Sequence, residues 1–194
     1  MATKQRWEKI ERVLANRQKD LVVVLEDVKN PHNASALLRT ADAVGVQYIY
    51  IVDSMGETFP VNEAISTGAE RWLTLYHYTW IRECLEDLKA KGFKIAATYL
   101  GEEAVSHFEV DYTQPIAIVF GNEKMGVSEE VLELADIKIK IPMFGMVQSL
   151  NVSVSAGVIL YEAARQRLQK GMYGKINLDR EEYERLLKEF LGRK

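Results

Sequence analysis

The sequence of 194 residues has little of several features that would identify other classes of protein. Its single cysteine, Cys84, excludes a disulfide framework and a zinc site built from cysteines. No apolar run approaches the roughly 18 residues that a membrane span needs, and the charged N-terminus lacks the apolar region of a secretion signal. A hydrophobic content of 47% and a net charge of -3 are not typical of a disordered chain. We therefore expect one globular domain, with terminal extensions, in the cytoplasm and without a membrane partner.

Familiar catalytic motifs are missing as well. The sequence has no G-x-G-x-x-G dinucleotide fingerprint, no G-x-S-x-G elbow and no H-E-x-x-H zinc motif. Residues 121–126 have the glycine spacing of a P-loop, but Val127 stands where the phosphate-binding lysine should be. The three histidines, His32, His77 and His107, have no partner at ligand spacing. We therefore expect neither nucleotide hydrolysis nor a metal site.

Charge is distributed unevenly along the chain. Residues 1–20 carry six bases and three acids, and residues 162–194 carry nine bases and six acids, so the middle of the chain is acidic. Because lysine and arginine make phosphate contacts, one explanation is a pair of arms that grip a polyanion. Two solvated amphipathic helices explain the same charges, and charge alone favours them.

Apolar runs alternate with helical patterns along the body of the chain. Strands are expected at residues 21–25, 48–52, 93–98, 116–120 and 137–141, as near-continuous Val and Ile runs indicate for parallel strands covered on both faces. Helices are expected at residues 33–44, 79–91 and 151–170, with a short one capped by Ser128 and a last one capped by Asp179. This alternation predicts an α/β fold with a mostly parallel sheet and helices on both faces. The body would span residues 21–170, with helical arms at 1–20 and 171–194.

The segment NPHNASALLRT, residues 30–40, is the first of three unusual segments. Pro31 interrupts the chain, Asn33 or Ser35 is the expected helix cap, and Arg39 lies on the first or second turn. A routine strand-to-helix loop with a surface arginine explains this segment too, and spacing alone slightly favours it.

Two further segments place polar residues next to strand ends. In VFGNEKMGVS, residues 119–128, Gly121, Asn122 and Glu123 follow an apolar strand, at the edge where open α/β sheets bind ligands. In IKIPMFGMVQSLNVSVS, residues 139–155, Ser149 and Asn151 precede a helix, and such a helix start favours a polar or anionic ligand. An ordinary capped helix remains an alternative for this last segment.

Together and in this order, the three segments resemble the three motifs of the SPOUT class of RNA methyltransferases. They are most similar to the TrmH family of tRNA ribose 2′-O-methyltransferases. The matching runs are NPHNASALLRTADAVGV (30–46), IAIVFGNEKMGVSEEVLELAD (116–136) and IKIPMFGMVQSLNVSVSAGVILYEAARQR (139–167). The run IPMFGMVQSLNVSVSA is highly specific, because neither strand nor helix formation requires it.

The resemblance implies features that sequence reasoning alone does not reach. The C-terminal part of the domain would thread a loop as a trefoil knot, although knots are nearly absent from protein folds. The knot would bind S-adenosylmethionine, and the chain would form a homodimer in which the small-residue face of the helix after Asn151 packs closely. The implied cofactor-binding residues are Thr98, Leu100, Gly121, Ile141, Met143 and Leu150.

The implied reaction is attack by the ribose 2′-hydroxyl of a D-loop guanosine, at tRNA position 18, on the methyl group of S-adenosylmethionine. Arg39 matches the arginine that this family places at the reacting hydroxyl. Because arginine normally stays protonated, fixing the adjacent phosphate is an easier role for it than general base. The residues that match the positions expected to orient Arg39 and the ribose are Asn33, Glu123, Ser149 and Asn151.

Two alternatives stay open. A ribosomal RNA methyltransferase of the same family would usually carry a larger N-terminal domain, whereas only 20 residues precede Leu21 here. A non-catalytic RNA-binding module with the same fold is the second alternative, although Arg39 and the polar loop residues are all present.

Overall fold

A computed structural model describes residues 3–56, 59 and 61–193 of the chain. The strands are β1 Leu21–Glu26, β2 Tyr48–Val52, β3 Thr74–Tyr78, β4 Lys94–Thr98, β5 Val105–Ser106, β6 Ile116–Phe120 and β7 Ile137–Lys140. These seven parallel strands form one sheet in the order β3-β2-β1-β6-β4-β7-β5. The helices are α1 Lys4–Leu14, α2 Pro31–Ala43, α3 Glu63–Ser66, α4 Ile81–Ala90, α5 Glu129–Leu134, α6 Val152–Gln169 and α7 Arg180–Gly192, with 3-10 turns at Ala69–Trp72 and His107–Glu109. The predicted α/β fold with a parallel sheet is confirmed.

Helices cover both faces of the sheet, which explains the apolar composition of its central strands. Alternate residues of β1 point to opposite faces. Val23 packs in the cluster that includes residues of α2 and α6, and Val24 packs in the cluster that includes residues of α4 and α5. Every residue of β1 and of β6 is buried, because these strands lie in the middle of the sheet.

Two strands were missing from the sequence-based prediction. The strand β3 is half-exposed and β5 has two residues, so neither shows the continuous apolar run of a central strand. The start of α2 also differs from the prediction. Asn30 is the cap, and its side chain accepts hydrogen bonds from the backbone N–H groups of His32 and Asn33. Asn33 and Ser35, the caps expected from the sequence, are residues of the helix itself and are buried. Pro31 then occupies the first helical position, where its missing N–H costs nothing.

The helices at the two ends of the chain pack against each other. A third apolar cluster joins Ile10 and Leu14 of α1 to Leu186 and Phe190 of α7. Arg17, which follows α1, also connects the N-terminal end to the body of the chain. Its side chain is fully buried and donates hydrogen bonds to Asp42 and to the carbonyls of Val46 and Trp72. The division into arms and body at residues 20 and 170 therefore stays a prediction, and the buried base Arg17 does not belong to an exposed basic surface.

Candidate functional site

A cavity of about 400 Å³ opens at the carboxyl ends of β4, β6 and β7. Its walls come from residues 98–100 after β4, from the loop of residues 120–127 after β6, and from the segment between β7 and α6. Such an edge is where open α/β sheets bind ligands. All six residues predicted to bind the cofactor line this cavity, namely Thr98, Leu100, Gly121, Ile141, Met143 and Leu150. Their part in cofactor binding stays a prediction.

Gly121 is required by the folding of its own loop. A Cβ atom at this position would lie 2.2 Å from the backbone carbon and oxygen of Gly126 and 2.3 Å from the Val127 nitrogen. The loop closes through two backbone hydrogen bonds of 2.9 Å between Asn122 and Gly126. The close approach that excludes a side chain at position 121 is therefore to the protein's own backbone.

Three of the predicted catalytic residues form one hydrogen-bond network. The Asn151 side-chain amide donates to the Asn33 side-chain oxygen across 3.0 Å, and the Asn33 amide donates to the Glu123 carboxylate across 3.1 Å. The backbone N–H of Asn30 donates to the same carboxylate across 3.0 Å. This network joins the three segments that the sequence singled out, at the edge where β1 and β6 lie side by side.

The network also determines the ionisation of Glu123. Partial burial acts to raise the pKa of this carboxyl group, but hydrogen bonds from the backbone of Glu123, Asn30 and Lys29 and from the Asn33 amide outweigh it and lower the pKa. Glu123 is therefore ionised at neutral pH and acts as the acceptor that fixes the start of α2 and the loop after β6.

The other two predicted catalytic residues lie elsewhere. Ser149 lines the cavity, next to Leu150. Arg39 lies on the exposed side of α2, where its guanidinium donates to the Ile65 carbonyl across 3.4 Å, and it is not a residue of the cavity wall. Its side chain is accessible to a large ligand such as RNA.

Sequence reasoning missed two contacts that hold the loop after β6. Asn122 donates its side-chain amide to the Asp27 carbonyl across 2.8 Å. Glu26 accepts hydrogen bonds from the backbone N–H and the hydroxyl of Ser128, at 2.9 Å and 2.6 Å. The sequence signal for the second contact is a glutamate at the end of the otherwise apolar strand LVVVLE.

Within residues 3–56, 59 and 61–193, no cluster of three or more His, Cys, Asp or Glu side chains is arranged to hold a metal ion. In the same ranges, no helix has both the length and the apolar character needed to cross a membrane.

Comparison with known proteins shows extensive similarity. Residues 20–161 match the model of the SpoU rRNA methylase family. The tRNA (guanosine(18)-2′-O)-methyltransferase of Thermus thermophilus is 52% identical over 189 residues, which make up 97% of this chain and 97% of that enzyme. The enzyme of the same name from Aquifex aeolicus is 47% identical over 190 residues, covering 98% of this chain and 90% of that enzyme.

Solved structures lead to the same family. The TrmH/SpoU tRNA modifying enzyme of Aquifex aeolicus superposes with a TM-score of 0.91 at 48% identity, covering 96% of this chain and 95% of that one. The SpoU methyltransferase AviRb of Streptomyces viridochromogenes, solved in complex with AdoMet, has a TM-score of 0.69 at 28% identity, covering 78% and 62% of the two chains. With a family model that matches residues 20–161 and relatives about 50% identical over nearly its whole length, this chain belongs to the SpoU methylase family.

Proposed function

We propose that this protein transfers the methyl group of S-adenosylmethionine to the ribose 2′-oxygen of guanosine 18 in tRNA. The observation that carries this proposal is the hydrogen-bond network of Asn33, Glu123 and Asn151 beside the cavity. Relatives that are similar over nearly the whole chain are named for the same activity, which supports it. Because its proposed substrate is tRNA, we also propose that the protein is cytoplasmic.

The cavity fits S-adenosylmethionine in its volume and in the chemistry of its walls. Pockets for small ligands have volumes of about 300–1,000 Å³ and combine apolar walls with a few polar groups. Ile139, Ile141 and Leu150 supply apolar surface for a purine ring. The wall also holds two acids and two bases, which suit a ligand that carries charges of both signs, namely Glu123, Glu129, Lys124 and Lys140. When bound, the cofactor supplies a methyl group activated by the positive sulfonium.

The chain's own residues then position the ribose and stabilise charge. Ionised Glu123 holds Asn33, and Asn33 holds Asn151, so the starts of α2 and α6 have a fixed geometry beside the cavity. Ser149 in the cavity wall orients the ribose. Arg39 binds the adjacent phosphate and stabilises the negative charge that develops on the 2′-oxygen as its proton passes to solvent water.

The proposal includes a homodimer, because α6 exposes an apolar stripe. Val154, Val158, Tyr161 and Leu168 lie on its outer side at helical spacing, and Tyr161 is 59% exposed. Phe144 and Met146 just before the helix are 96% and 99% exposed. An exposed apolar surface of this kind supports an interface with a second copy. The small-residue face expected for this helix is not the exposed one, because the small residue Ala156 is buried in the core and the stripe consists of larger residues.

The trefoil knot also belongs to the proposal. The strand β7 pairs with β4 and β5, and the chain after β7 then returns to the cavity beside residues 98–100 and 121–127, which precede it in sequence. A return of the chain past two earlier loops supports threading of this kind. The terminal helices α1 and α7 serve tRNA binding in this proposal, through their exposed lysines.

Mapping of the modified nucleotide tests the proposed function. Purified protein, S-adenosylmethionine and an unmodified tRNA transcript are incubated with EDTA, and 2′-O-methylation is read as resistance of one phosphodiester bond to alkaline cleavage. We expect new protection at guanosine 18, and no transfer of labelled methyl from S-adenosylmethionine to a tRNA that carries 2′-deoxyguanosine there. Methylation of a base, or of a ribosomal RNA fragment in place of tRNA, would contradict the proposal.

A further inference from the structure

A buried carboxylate lies just behind the cavity wall and has no place in the reaction described above. Glu26 is the last residue of β1 and is 5% exposed. Both oxygens of its carboxylate are used by one residue, because the N–H and the hydroxyl of Ser128 donate to them across 2.9 Å and 2.6 Å. Charge-assisted pairs of this kind are among the stronger hydrogen bonds in proteins.

Ser128 is the point where the cavity loop becomes a helix. The cavity loop, residues 121–128, supplies much of the cavity wall. The Ser128 hydroxyl also caps α5 by accepting from the Val131 N–H across 3.3 Å. At the other end of the loop, Asn122 is attached to the Asp27 carbonyl. Both ends of the cavity loop are therefore attached to consecutive residues at the end of β1.

Glu26 needs its negative charge for this contact, although burial opposes that charge. Burial raises the pKa of Glu26, the contacts with Ser128 lower it, and the nearby acids Asp27 and Glu130 raise it further. Glu130 is itself paired with Arg82 of α4 across 2.7 Å. Because the net effect raises the pKa, Glu26 takes up a proton at a higher pH than an ordinary glutamate does.

We infer that Glu26 is a positioning residue that holds the cavity loop in the conformation that binds the methyl donor. This inference rests on the proposed cofactor site. A neutral group at position 26 presents one acceptor and a competing donor to Ser128, so the end of the loop shifts and the cavity wall loses its shape. The consequence is weaker cofactor binding with an intact transfer step, since Glu26 touches none of the reacting atoms.

Substitution by glutamine tests this role in the full chain. The affinity for S-adenosylmethionine is measured by calorimetry, and kcat and KM are measured with tRNA. For Glu26→Gln we expect Kd and KM for S-adenosylmethionine to rise about tenfold, the loss of one charge-assisted hydrogen bond, with kcat at saturation close to that of the wild type. Glu130→Gln is the matched control, because it removes a nearby carboxylate outside the contact with Ser128, and it should bind the cofactor normally.

The pH dependence supplies a readout that a merely structural role would not change. As pH falls below neutral, protonation of Glu26 should weaken cofactor binding by the wild type, and the curve for Glu26→Gln should lack this component. If Glu26→Gln fails to fold, Ser128→Ala and Ser128→Thr replace it, and only the threonine variant should keep full affinity. Unchanged Kd in Glu26→Gln, or a loss of kcat without a change in KM, overturns the inference. Failure of the wild type to bind S-adenosylmethionine would instead overturn the proposed function.

Discussion

The side-chain amide of Asn33 donates to the carboxylate of Glu123 across 3.1 Å, although 90 residues separate the two along the chain. Asn33 lies on α2, the helix that carries Arg39, and Glu123 lies in the wall of the cavity. One hydrogen bond therefore connects the element that presents Arg39 to the loop proposed to hold the methyl donor. Because Arg39 itself stays outside the cavity, substitutions there should separate chemistry from cofactor binding.

Replacement of Arg39 by alanine should abolish most methyl transfer and leave cofactor affinity unchanged. We expect kcat to fall about 100-fold or more, since a positioned cation stabilises charge only in the transition state. Arg39→Lys should be severely impaired too, because a single ammonium group cannot reproduce a planar fork of donors. Steady-state kinetics with tRNA and calorimetry with S-adenosylmethionine measure the two effects.

The control for Arg39 is Arg71→Ala, which removes an exposed arginine that also lies outside the cavity wall. It should keep near-normal kcat. Near-normal turnover by Arg39→Lys would show that a point charge suffices and that the positioning argument is wrong.

A single methyl group at position 121 should destroy the cavity. The Cβ atom of Gly121→Ala would lie 2.2 Å from the backbone of Gly126, which cannot move without breaking the backbone pair that closes the loop. We expect Kd for S-adenosylmethionine to rise about 100-fold, as a displaced loop removes several contacts at once. The same change at Gly145, where nothing lies within 4 Å of the added atom, should leave binding intact. Equal cofactor affinity in the two variants would contradict this account.

Much of the fold could be predicted from the sequence because the central strands have a strong local signal. The runs LVVVL and IAIVF are buried on both faces, and such strands must be apolar throughout. The strand β3 was missed because it pairs on one side only and is half-exposed, so its sequence TLYHY lacks that signal. Edge strands are determined by the neighbour that they join more than by their own composition.

The residues of the cavity wall could be named from the sequence, but the contacts between side chains around the cavity could not. Motif resemblance indicated the residues of the cavity wall, and strand order brings them to one edge of the sheet. Periodicity and spacing contain no information about hydrogen bonds between side chains that are far apart in sequence. The contact between Glu26 and Ser128, which are 102 residues apart, is an example. The count of basic residues in the N-terminal arm overstated its exposed charge for a related reason. Arg17 is included in that count, but its side chain is buried and paired with Asp42.

The exposed stripe on α6 should hold two copies of the chain together. Val154→Lys with Val158→Lys places two charges in that stripe, and burying them in an interface is costly. Sedimentation velocity should give twice the chain mass of 22.1 kDa for the wild type and a monomer for this variant. Trp80→Lys, at an exposed aromatic residue beside α4, is the control and should remain dimeric. A monomeric wild type would refute the dimer.

Exposed lysines of the terminal helices should supply tRNA affinity without contributing to chemistry. Lys9 of α1 and Lys188 of α7 are exposed, and the two helices pack side by side. For Lys9→Gln with Lys188→Gln, the Kd for tRNA should rise, and the log–log slope of affinity against salt should become shallower by up to about 0.9 for each lost phosphate contact. Substitution is a cleaner change than deletion of residues 1–19, which would also remove buried Arg17 and leave the Asp42 carboxylate without its partner.

The matched control for this pair is Lys91→Gln with Lys94→Gln, which removes two exposed lysines from the body at the end of α4 and the start of β4. Because these lysines lie outside the terminal helices, the control should keep both the affinity and the salt slope of the wild type. Filter binding at several salt concentrations measures both quantities. Identical salt slopes for the two double variants would mean that the terminal helices serve packing, through the cluster around Leu186 and Phe190, and not tRNA recognition.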